Sequence, residues 1–145
     1  APVCETIWQR VRPHTSANAH LLLKAIAAIH GEAISAAMAQ IIRQAFFVDC
    51  RDIGDLNELC QLEAEQPIAG QLLDCKALKK VMDNGEAMAA LMGGYQQAKQ
   101  QGIKGSPSYV LDAGRQVLYG NVGYRVLLAN VEELLKQPAD EASWC

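Results

Sequence analysis

The sequence predicts a mostly helical α/β protein in which a run of helices leads to one β-hairpin and a closing helix. Three observations carry this reading. Apolar residues recur at three-and-four spacing through much of the first hundred residues, alternate on either side of Asp112-Ala113-Gly114, and return to helical spacing between Tyr124 and Lys136.

Taken in order, the segment from Ala1 and Pro2 to Arg12 and Pro13 is expected to hold one helical turn around Ile7 and Trp8, which Pro13 closes. Thr15 or Ser16 can cap a helix whose Leu22, Leu23, Ile26 and Ile29 share a face until Gly31 supplies a left-handed stop. Ile34, Met38, Ile41, Ile42, Ala45 and Phe46 carry a second helix to about Cys50, and the two read as a helical hairpin. Asp55 with Glu58 has the form of a capping box ahead of Leu56, Leu59 and Leu62, and Pro67 ends that helix. Pro67–Leu73 and Lys76–Met82 are expected as one or two short helices, with Asp74 able to cap the second and Asp83, Asn84 and Gly85 marking a break. A longer helix follows from about Glu86 to Gln101, stopped by Gly102. Its Gly93-Gly94 pair, at roughly 1 kcal/mol per glycine, points to close packing or a bend. Strands are expected at Ser108–Leu111 and Gln116–Gly120. The last helix carries Val126, Leu127, Val131, Leu134 and Leu135 on one face, and Pro138 ends it before a polar tail. Tyr109, Tyr119 and Tyr124 read as hairpin and core aromatics, and Trp8 and Trp144 as shields over apolar surface near the termini.

At 145 residues, 50% hydrophobic and 20% charged, the chain has the length of one globular domain, or of one domain with a sizeable insertion. Its formal charge of -3 lacks the net basic surface of a nucleic-acid binder, so no nucleic-acid partner is expected. The most apolar stretches, Leu21–Ile29 and Ala36–Val48, are broken by Lys24, Gln40, Arg43 and Gln44 and fall short of the roughly 20 apolar residues of a membrane span. A soluble chain with no membrane partner is expected. It opens Ala-Pro-Val-Cys with no initiator Met and no signal-peptide pattern, the opening expected of a chain processed or cut from a longer one.

Cys4, Cys50, Cys60, Cys75 and Cys145 form an odd set with no C-x-x-C pair. Most are expected to act as small buried apolar side chains, and Cys145 as an exposed terminal thiol. Gaps of nine residues between Cys50 and Cys60 and fourteen between Cys60 and Cys75 resemble no zinc framework, so no metal site is expected. The leftover thiol leans toward a reducing cytoplasm, with the periplasm left open. His14, His20 and His30 do not share a face and are expected to be satisfied or exposed.

Gly102-Ile-Lys-Gly-Ser-Pro-Ser-Tyr-Val-Leu resembles the G-V-x-G-[ST]-P-[ST]-[FY]-V segment that leads into the third thioredoxin-fold strand of the DsbA-like family. That family includes the bacterial disulfide oxidoreductases, the FrnE-like proteins, the 2-hydroxychromene-2-carboxylate isomerases and the kappa-class glutathione transferases. Ser16–Ala25 is similar to the family's first insertion helix, and Ala45–Leu56, AFFVDCRDIGDL, to its A-F-F-x-x-x-x-D-I-x-D stretch. VLYGNVGYRVLLANVEELL resembles its closing strand and last helix, so the similarity covers about residues 15 to 136.

The resemblance implies a thioredoxin-like fold of DsbA type: a linker remnant at 1–14, a helical insertion domain at 15–102, a C-terminal β-β-α unit at 103–137 and a tail at 138–145. Nothing in Ala1–Pro13 can stand for the β-α-β unit that bears the family's nucleophile, Cys or Ser, so the chain is expected to be the C-terminal portion of a longer protein or else a natural truncation without the usual chemistry. No catalytic residue is therefore expected within the chain, which would be inactive alone. The resemblance further implies a cis bond between Ser106 and Pro107, with Gly105, Ser106 and Pro107 forming the substrate-binding loop. Ser106 N–H and C=O would pair with an extended protein disulfide substrate or with glutathione. Some FrnE-like relatives carry a second redox pair, for which Cys50, Cys60 and Cys75 are the candidates here.

Three functions follow as expectations. The first is the C-terminal part of a DsbA-like thiol-disulfide oxidoreductase whose cysteine lies upstream. The second is a glutathione-dependent isomerase or transferase of the 2-hydroxychromene-2-carboxylate isomerase type, with glutathione as its cofactor. The third is a non-catalytic helical binding or dimerisation module. In each, the unpaired edge of Ser108–Leu111 is expected to be covered by a second copy in a homodimer or by an N-terminal segment.

Overall fold

The computed structural model describes residues 3–136 except 69 and 71; expectations placed on Ala1, Pro2, Pro138, Trp144, Cys145 and the tail lie outside them. The architecture is mixed α/β and mostly helical, with a single two-stranded antiparallel sheet among the described residues. The elements are α1 (Ile7–Arg10), α2 (Ala17–His30), α3 (Glu32–Phe47), α4 (Leu56–Glu65), α5 (Cys75–Asp83), α6 (Glu86–Gln100), β1 (Ser108–Leu111), β2 (Gln116–Tyr119) and α7 (Tyr124–Leu135). The chain divides into two compact units, Ala1–Gly94 and Tyr95–Cys145, with the boundary inside α6. No helix among the described residues is long and apolar enough to cross a membrane.

In the first unit α2 is central, packing against α3, α4 and α5. Its Ala19, Leu22, Ala25 and Ile26 form the buried face, and Met38 and Ile42 of α3, Leu59 and Leu62 of α4 and Leu78 of α5 complete the core. Each large side chain removed from water there contributes on the order of 1.5–3 kcal/mol. Ile29, expected on the same face, is 42% exposed in the last turn of α2. The chain breaks just beyond it at Gly31, whose φ of 90° and ψ of 165° lie in a region open essentially to glycine alone. Gly31 ends α2 by donating its N–H to Ala27 O at 3.0 Å and starts α3 by accepting from Ser35 N at 3.2 Å. The Ser35 hydroxyl then donates to Leu23 O at 2.8 Å, tying the two helices across the break.

Local chemistry sets the other boundaries. Thr15 Oγ1 accepts from Ala17 N at 3.1 Å, Asp55 Oδ1 from Asn57 N at 2.8 Å, and Asp74 Oδ1 from Lys76 N at 2.9 Å. The capping box is half formed, because Glu58 is engaged by Arg51 Nε at 3.0 Å instead of reaching back to its own helix start. Pro67–Leu73 departs from the expected helix: none of its described residues is helical, while Ile68 and Leu73 are buried in the core. Gly70, at φ 81°, takes a left-handed conformation that interrupts a helical turn, and burial of Ile68 and Leu73 ties the segment to the core. At Gly93 and Gly94 the first of the two expectations, close packing, is not met. A Cβ at either would meet nothing within 4 Å, so close packing does not account for them.

In the second unit β1 and β2 pair antiparallel, with Ser108 opposite Tyr119 and Leu111 opposite Gln116. The connection turns through left-handed residues, with φ of 49° at Asp112, 51° at Ala113 and 98° at Gly114. No described residue of this unit is buried, in contrast to the first. Tyr124, expected as a core aromatic, is 74% exposed, and Leu135, expected on the inward face of α7, is 76% exposed. A two-stranded hairpin and one helix offer too few layers to enclose an apolar face.

Candidate functional site

The loop ahead of β1 holds the three residues singled out as substrate-binding. Gly105, Ser106 and Pro107 are exposed, and the Ser106–Pro107 peptide bond is cis. With Lys104, Tyr119 and Gly120 they line an open pocket of about 300 Å³. The loop is braced at both ends. The Tyr119 hydroxyl donates to Gly102 O at 2.9 Å, the Ser108 hydroxyl donates to Gly105 O, and Gly120 N donates to Pro107 O at 3.0 Å. Ser106 N–H and C=O have no hydrogen-bond partner among the described residues, so both backbone groups are free to pair with a ligand. Lys104 adds an exposed cation at the rim.

The cysteines depart from their reading as small apolar side chains. Cys4 is bonded to Cys50, with Cα atoms 6.0 Å apart, and Cys60 to Cys75, at 5.7 Å. Of the three redox candidates, the structure therefore joins Cys60 with Cys75 and gives Cys50 a different partner. Cys4 reaches Cys50 because its N–H donates to Phe47 O at 2.7 Å, which lays the N-terminal segment against the end of α3.

Beside the Cys60–Cys75 pair stands a residue that the sequence reading did not single out. Glu63 follows Cys60 by one turn of α4, which places the two on one face. Its side chain is buried, 1% exposed, and neither carboxylate oxygen has a hydrogen-bond partner. Arg51 pairs with Glu58 at 3.0 Å and Glu65 at 2.6 Å, on another face of α4 from Glu63. Desolvation, assisted by the nearby charge of Asp74, pushes the Glu63 carboxyl up to about 7 from its ordinary 4.5. A carboxylate O of Glu63 and the sulfurs of Cys60 and Cys75 all lie within 4.8 Å of one another. The sequence carries no signal for this cluster, because Cys75 arrives from another helix.

The three histidines do not converge. His14 is exposed and lines a small pocket of about 170 Å³ with Thr15, Asp52, Gly54 and Asp55; His20 is exposed and His30 half-buried on α2.

Comparison of the chain with protein-family models, with curated proteins and with solved structures returned no match in any of the three.

Proposed function

We propose that the chain is the C-terminal part of a DsbA-like thiol-disulfide oxidoreductase, in which Gly105, Ser106 and Pro107 hold the substrate while a cysteine upstream of residue 1 performs the exchange. The observation that carries this reading is the braced, exposed loop with the unpaired backbone groups of Ser106 at its centre. An extended segment next to a disulfide can add to those groups as a strand does, which places its sulfur without any side-chain specificity. The attacking thiolate breaks the substrate S–S bond and forms a mixed disulfide; a second thiol then resolves it. A thioredoxin-like β-α-β unit supplied upstream would also cover the free edge of β1 and the apolar side chains that α7 leaves exposed. Two disulfides within one chain favour an oxidising compartment over the reducing cytoplasm suggested by an odd thiol count.

A glutathione-dependent isomerase or transferase is the second reading, favoured by Lys104 at the pocket rim, where a cation can meet a glutathione carboxylate. The test is expression of the protein with its upstream coding sequence, followed by insulin-reduction and glutathione-conjugation assays. Insulin reduction that requires an upstream cysteine and falls severalfold in Pro107→Ala is expected. Conjugation without reduction selects the second reading, and insulin reduction by residues 1–145 alone overturns the first.

A further inference from the structure

We infer that, once the Cys60–Cys75 disulfide is reduced, Cys60, Cys75 and Glu63 form a binding site for a zinc ion, so that the first unit carries a metal site opened and closed by thiol redox state. The argument begins with the carboxylate. A buried charge without a hydrogen bond or counter-ion is costly, and such a group in a folded protein calls for a partner. Glu63 is 1% exposed with both oxygens unsatisfied, while the acidic residues on either side of it in α4, Glu58 and Glu65, share Arg51. The sulfurs of Cys60 and Cys75 lie within 4.8 Å of one of its oxygens.

As a disulfide those sulfurs are poor ligands. A dithiol reductant changes that by delivering two electrons and two protons to the S–S bond and closing to its own disulfide. Zinc then displaces the two thiol protons, and the carboxyl proton where Glu63 holds one, to solvent, leaving two thiolates and one carboxylate around a dication. Such a mixed sulfur and oxygen set suits zinc and rejects magnesium or calcium, which take oxygen alone. Zn–S bonds of about 2.3 Å and Zn–O bonds of about 2.0–2.2 Å in a tetrahedron set ligand atoms about 3.6–3.8 Å apart. The three atoms already lie within that range of rearrangement, and side-chain rotation alone can open the sulfurs, since the Cα atoms stand 5.7 Å apart. Three protein ligands leave a fourth position for water. Both cysteines are half-buried, which gives a reductant and the ion a path from solvent.

The test uses the full chain with Cys4→Ser, Cys50→Ser and Cys145→Ser, so that the pair in question supplies the only thiols. After reduction it is expected to take up a single zinc ion in competition with a chromophoric chelator, and to give a thiolate-to-metal charge-transfer band with cobalt(II). The oxidised protein should do neither. Glu63→Gln should weaken zinc binding by at least about tenfold, the loss seen even for residues that merely support ligands. No uptake by the reduced chain, uptake by the oxidised chain, or equal affinity in Glu63→Gln overturns the inference. If circular dichroism shows that the serine background does not fold, the reduced natural sequence is compared with Cys60→Ser/Cys75→Ser; a cobalt band that persists in that variant overturns it equally.

Discussion

The side-chain amide of Asn18 donates to the carbonyl of Gly54 at 2.7 Å, joining the first turn of α2 to the loop that precedes α4 across 36 residues of sequence. The loop sits close enough there that a Cβ on Gly54 would approach Thr15 O and Asp52 Oδ1 to 3.0 Å. Asn18→Ala is expected to cost about 1 kcal/mol by loss of that bond, and Gly54→Ala about 1–2 kcal/mol because a backbone carbonyl cannot yield cheaply. Urea denaturation measures both, and values near zero would mean that the loop is not held at this point.

The two disulfides should differ in weight. Cys4–Cys50 spans 46 residues and Cys60–Cys75 spans 15. Loop-closure entropy assigns them about 4 and about 3 kcal/mol respectively. Denaturation of Cys4→Ser/Cys50→Ser and of Cys60→Ser/Cys75→Ser should therefore show the larger loss in the first; the reverse order would point to residual structure in the unfolded chain.

Stability should fall as pH rises. Glu63 holds its proton up to about pH 7 in the folded protein but releases it near its ordinary 4.5 when unfolded. Between those values the folded state binds more protons, so its advantage shrinks with rising pH and levels off above about 7. The full span corresponds to roughly 3 kcal/mol. Urea titrations of the oxidised protein in the presence of a chelator, at about pH 5 and about pH 8, should show this slope, and Glu63→Gln should flatten it. A wild-type curve that rises instead would show that Glu63 is solvated.

Tyr119→Phe removes the donor that braces Gly102 and leaves the ring in place. Hydrogen exchange at residues 102–106 is expected to quicken, while global stability changes by no more than about 1 kcal/mol. Unchanged exchange would assign the rigidity of the loop to the hairpin alone.

Much of the helical unit is legible in the residues themselves. Leu22, Ile26, Met38, Ile42, Leu59 and Leu62 recur at helical spacing because one face of each helix leaves water, and all six are buried. Asp55 and Asp74 announce their caps because capping is a contact two residues long. What depends on the arrival of a distant segment leaves no local trace. The described residues of Pro67–Leu73 are not helical, and Ile68 and Leu73 among them find places in a core built by other helices. Cys4 meets Cys50, and Glu63 loses its solvent, for the same kind of reason. The loop proposed to hold substrate is picked out by the family resemblance, which also implies the cis bond at Ser106–Pro107 that is present here; periodicity alone says only that a strand follows.

The bond from Cys4 to Cys50 makes a covalent ring of residues 4–50. A protease that nicks the exposed stretch at His14–Ala17 would cut within this ring, so the two pieces would travel as one band on an electrophoresis gel and part only after a reductant is added.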